Sequence, residues 1–112
     1  MRFLASAVSK CLWGGTVLLM VSLSLAAAPA NEGVELYKQK CSMCHRTDGK
    51  GFSALKTPDF TDPKVQASLT DKEIVETIKN GKKGTAMPAF GDQLSKDQIQ
   101  ALLSYLRSLK KK

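Results

Sequence analysis

Apolar residues in this chain fall into two patterns separated by a stretch with none. From Leu12 to Ala28 they are nearly continuous, interrupted only by Gly, Ser and Thr. Beyond residue 70 they recur at helical spacing instead: Ile74, Val75 and Ile78 form one stripe, and Ile99, Leu102, Leu103, Leu106 and Leu109 form another over about four turns. Each stripe has its own start signal. Thr70 with Glu73, and Ser95 with Gln98, have the spacing of a capping box, in which side chain and backbone satisfy each other's free hydrogen bonds at a helix N-terminus. Gly81 is a natural stop for the first of these, which is expected over residues 71–80. An earlier helix is expected from about Glu32 to Lys40, with Leu36 and Tyr37 on its apolar face, running on into residues 41–45. From Arg46 to about Val65 no period is present, and Gly, Lys, Thr, Asp and Pro predict a loop. The expected class is all-α, with three to four helices and no internal repeat.

The apolar run at the N-terminus has the profile of a secretory leader. Arg2 and Lys10 give a basic start, and Ala28-Pro29-Ala30 places small residues where a signal peptidase cuts. Cleavage after Ala30 would make Asn31 the first mature residue and leave residues 31–112 as one small domain. The alternative is an uncleaved membrane anchor, because the run approaches the roughly 18 apolar residues that begin to span a bilayer. Its most apolar part, Val17–Leu25, is short for that role and ends in small residues, so a periplasmic, exported protein is the expected form. A domain of this size buries little apolar surface for its length and gains from a covalent staple.

Two cysteines remain after the leader, and both lie in Cys41-Ser42-Met43-Cys44-His45. Cys-x-x-Cys-His is the pattern of covalent haem attachment: two thiols add to the two vinyl groups of one porphyrin, and the adjacent imidazole reaches the iron. Other uses of a Cys-x-x-Cys pair fit less well. A tetrahedral zinc site needs four ligands, and this region offers two cysteines and one histidine. A thiol redox centre calls for a neighbouring strand pattern, and a local disulfide leaves His45 idle. His45 is the chain's single histidine, so a second imidazole cannot complete the iron. Met43 lies inside the attachment turn, which leaves Met87, in Gly84-Thr85-Ala86-Met87-Pro88-Ala89-Phe90, as the candidate distal ligand.

With these motifs the sequence resembles the class I monohaem cytochromes c, in particular small exported bacterial ones, over nearly all of residues 32–109. Gly33-Val34-Glu35-Leu36-Tyr37 and the attachment motif are similar to the family's first helix and haem turn, and Asp48-Gly49-Lys50-Gly51 to the loop after it. Asn80-Gly81-Lys82 with Met87-Pro88-Ala89-Phe90 is similar to the stretch bearing the axial methionine, and Leu103-Ser104-Tyr105-Leu106 to the terminal helix. The resemblance implies a small cytochrome c fold around one covalently attached haem c and its iron. It also implies crossing N- and C-terminal helices, with Gly33, Tyr37 and Tyr105 at the contact, and a proline carbonyl, Pro58 or Pro63, supporting the His45 imidazole. Arg46 departs from the pattern, since relatives often have Gly or Ala there.

Histidine and methionine together fill the iron's axial positions, which points to outer-sphere, one-electron transport between respiratory or periplasmic redox partners and not to an enzyme. The alternative is a peroxidase or small-gas-binding haem protein with a labile methionine bond. The whole chain has a net charge of +7, and loss of Arg2 and Lys10 leaves 15 basic against 10 acidic residues, an excess of +5. That suits an acidic redox partner, such as an oxidase, reductase or dehydrogenase, or peripheral association with a membrane complex. Lys50, Lys82 and Lys83 are the candidates to surround an exposed haem edge. No basic stripe is interleaved with aromatics, which argues against nucleic acid.

Overall fold

The computed structural model describes residues 31–112, so the expected leader and its cleavage point lie outside the described residues. Within them every regular element is helical: α1 (Glu32–Leu36), a π-helical turn (Tyr37–Cys41), α2 (Ser42–His45), a short 3₁₀ turn (Ser53–Leu55), α3 (Pro63–Ser68), α4 (Asp71–Asn80) and α5 (Lys96–Ser108). None is long and apolar enough to cross a membrane.

Both expected capping boxes form. Thr70 accepts from the Glu73 backbone N–H while the Glu73 carboxylate accepts from that of Thr70, and Ser95 and Gln98 do the same for α5. The two helices therefore start and stop close to where their residues direct. The first helix also extends into the cysteine motif as expected, but with a π turn in its middle. The unpatterned stretch is less of a loop than expected, because α3 begins at Pro63. Asp62 caps it by accepting from the Lys64 N–H at 2.8 Å, and Pro63 takes the first helical position, where its missing N–H costs nothing.

The core joins α1, α4 and α5 through Leu36, Tyr37, Ile74, Ile78, Ile99, Leu102, Leu103 and Leu106, with Phe60 and Leu94 from the connections. α1 meets α5 where Gly33 lies against the Ala101 carbonyl; a Cβ at Gly33 would collide with that backbone. The aromatic contact expected at this crossing is present, with Tyr37 edge-on to Tyr105 at 5.1 Å between ring centroids. A second tie is polar. Gln66, 6% exposed, donates from Nε2 to the Phe60 and Leu106 carbonyls, both at 2.7 Å. Arg107 donates to the Gln66 carbonyl and Oε1, to the Leu69 carbonyl, and to Asp71. One glutamine and one arginine thus pin α3 and the start of α4 to α5, satisfying backbone groups that a short helix leaves free.

Candidate haem-attachment site

The π turn sets how the motif is presented. Within it the Ser42 backbone N–H reaches the Tyr37 carbonyl, one residue further back than in an α-helix. The Ser42 hydroxyl donates at 2.7 Å to the Lys38 carbonyl, the oxygen its own N–H would bond in an α-helix. The wider turn leaves Cys41 half-buried against the core and Cys44 exposed, both as free thiols. Burial pushes the Cys41 thiol up to about 11 against the opposing pull of Lys40, so its thiolate is scarce at neutral pH. Met43, between the cysteines, is 88% exposed and takes no part in the core.

His45 ends α2 and turns inward, its ring 5.4 Å from that of Phe60. Burial lowers its pKa, which favours the neutral imidazole that ligates a metal. Its Nδ1 is buried with no hydrogen-bond partner, so neither the Pro58 nor the Pro63 carbonyl supports it as the resemblance implied. Pro63 is instead committed to the first turn of α3, and the Pro58 oxygen lies close against Gly51. A half-buried imidazole, directly after two free thiols about one helical turn apart, fits the donor set of a covalently attached haem.

The residue after His45 is strained. Arg46 adopts φ 63° and ψ 156°, a region essentially reserved for glycine, at a cost on the order of 1–3 kcal/mol. Its guanidinium pairs with Asp48 at 3.0 Å and lies 5.8 Å over the Phe52 ring. Both contacts are exposed, and an exposed ion pair contributes at most about 1 kcal/mol. Better placed is the Tyr37 hydroxyl, whose one proton is shared between the Arg46 carbonyl at 2.8 Å and that of His45 at 3.2 Å. Sequence reasoning gave Tyr37 only a packing role. The sole hint at this position was Arg46 itself, standing where relatives often have Gly or Ala.

Met87 lies in the loop between α4 and α5. The Met87 carbonyl accepts from the Lys82 N–H at 3.2 Å, its N–H donates to the Thr85 hydroxyl, and that hydroxyl donates to the Lys82 carbonyl at 2.7 Å. This ring of bonds closes residues 82–87 into a tight loop. Gly81 makes room for it, since a Cβ there would meet the Met87 carbonyl at 2.8 Å. Phe90 returns the chain to α4 by donating to the Ile78 carbonyl. Lys50, Lys82 and Lys83 are all exposed.

Comparison with known proteins places this arrangement. The family model for cytochrome c oxidase, cbb3-type, subunit III matches residues 28–106. The subunit FixP of a cbb3-type cytochrome c oxidase from Azorhizobium caulinodans is 38% identical over 80 residues, covering 71% of this chain but 27% of that protein. A cytochrome c6 from Leptolyngbya boryana is 34% identical over 79 residues, 70% of this chain and 91% of its own length. Among solved structures, the KustC0563 c-type cytochrome superposes with a TM-score of 0.65 at 33% identity, over 70% of this chain and 98% of that one. The structural neighbours confirm the all-helical cytochrome c fold. With its family model spanning most of the residues, the chain belongs to the c-type cytochromes, whose haem c and iron are covalently bound.

Proposed function

We propose that this chain is an exported monohaem electron carrier and not an enzyme. Cys41 and Cys44 hold the haem through thioether bonds, His45 is the proximal iron ligand and Met87 the distal one. The observation that carries this reading is the chain's single imidazole, half-buried and directly after two free cysteines, in a chain of the c-type cytochrome family. When bound, the haem supplies a one-electron couple between ferric and ferrous iron. The chain's own residues do the rest. His45 stays neutral through burial and so remains a donor to metal at physiological pH. The closed 82–87 loop presents the Met87 thioether, a soft and uncharged donor that favours the reduced metal. Two protein ligands leave no open position for a substrate, which supports electron transport over the peroxidase or gas-binding alternative.

This chain spans 27% of the length of the FixP relative, so the larger protein's role does not transfer whole. An acidic redox partner, including one within an oxidase-type complex, is the partner class that an excess of +5 and the exposed Lys50, Lys82 and Lys83 favour. Residues 1–30 act as a leader cleaved after Ala30, which puts the domain of residues 31–112 in the periplasm. The test is the purified, exported protein. Its haem should survive acid-acetone extraction, its ferric form should show the weak far-red band of iron bound to methionine sulfur, and its first residue should be Asn31. A colourless protein from a host competent in haem attachment would sink the reading.

A further inference from the structure

We propose that the Tyr37 hydroxyl is a positioning group for the proximal ligand turn: from the π turn it clasps the His45 and Arg46 carbonyls, keeps Arg46 in its glycine-type backbone, and so fixes the setting of the His45 imidazole. This rests on the haem-ligation reading above and adds to it a residue that the attachment motif does not contain.

Four observations converge on the hydroxyl. Tyr37 is 1% exposed, so water does not compete for its bonds, and the edge-on contact with Tyr105 leaves the ring little freedom. The two carbonyls it reaches are those of the ligand and of the strained residue after it. Each carbonyl also accepts from the returning loop, His45 from the Gly51 N–H at 3.1 Å and Arg46 from the Gly49 N–H at 3.2 Å. The hydroxyl therefore sits where the first helix, the ligand turn and the loop close on one another. Finally, Tyr37 starts the π turn, a rare element that appears most often at functional sites.

The strain on Arg46 makes the proposal testable by coupling. In the haem-loaded protein, Tyr37→Phe removes the hydroxyl and keeps the ring against Tyr105. Amide hydrogen exchange at Gly49 and Gly51 should then quicken by about tenfold, the loss of one good buried hydrogen bond. The hyperfine-shifted ring protons of His45 in the ferric protein should move, which a pure packing role for Tyr37 would not cause. In an Arg46→Gly background the same substitution should quicken exchange by less than about twofold, because glycine holds that backbone unaided. Equal acceleration in both backgrounds, or unmoved His45 ring protons, overturns the proposal. If Tyr37→Phe alone does not accumulate as folded protein, rescue by Arg46→Gly supports the clasp and failure of rescue overturns it. A colourless wild-type protein overturns the ligation reading instead, so the two failures are distinct.

Discussion

The proximal turn and the distal loop each carry one proposed ligand, and they are built in opposite ways. Around His45 the chain is anchored in the core: Tyr37 is buried beneath it, Phe60 packs on its ring, and the preceding helix crosses α5 at Gly33. Around Met87 the order is local. The loop closes on itself through Lys82 and Thr85, and its flanking residues are mostly exposed. The difference teaches that the proximal ligand is set by the fold as a whole and the distal one by a few neighbouring residues. Loss of the first should therefore be global and loss of the second local.

The largest expected effect breaks that comparison at its root. Replacing Cys41 and Cys44 together by alanine should abolish covalent haem, read as complete loss of pigment to acid-acetone. Met87→Ala should keep the covalent haem, erase the far-red band and lower the midpoint potential. A retained band would remove Met87 from the iron. Two glycines then sharpen the contrast in stability. Gly33→Ala forces a Cβ into the Ala101 carbonyl and should cost about 3 kcal/mol in thermal unfolding of the holoprotein. Gly84, in the distal loop at φ +74°, has nothing within 4 Å of a built Cβ, so Gly84→Ala meets only backbone strain of about 1 kcal/mol. Comparable losses at the two positions would contradict the asymmetry.

The smallest effect is a pH dependence outside both regions. Hydrogen bonds from the Thr70 backbone N–H and hydroxyl hold the Glu73 carboxyl below its usual 4.5. A depressed folded value means that the unfolded chain takes up protons first. The stabilisation is thus fully present above about pH 4.5 and fades as pH falls through the folded value. Melting temperatures from pH 6 to pH 3 should fall less steeply for Glu73→Gln than for the parent.

The helices whose start is encoded locally were the ones legible from residues alone. Thr70 with Glu73 and Ser95 with Gln98 complete their bonds within one turn, and no distant partner decides their form. α3 carried a local signal too, Asp62 followed by Pro63, but its six residues have no apolar stripe, and the one that buries most deeply is Gln66. Gln66 is satisfied by Leu106 and Arg107, forty residues on, which no reading of its neighbours reveals. The same holds at the site. Cys41, Cys44 and His45 are candidates by their spacing, and Met87 becomes the proposed distal ligand by elimination. The π turn and the hold on the Arg46 carbonyl involve bonds of the Tyr37 and Ser42 hydroxyls, which the motif by itself does not reveal.

That serine has a consequence for transplanting the motif. The first of the two residues between Cys41 and Cys44 is a spacer in the motif, yet in this chain its hydroxyl bonds the carbonyl that its own N–H passes over in the widened turn. A five-residue graft onto an ordinary α-helix would carry the thiols and the imidazole across but arrive out of phase with the scaffold. The portable unit is longer. It begins at Tyr37, runs through Arg46, and brings its own change of helical pitch.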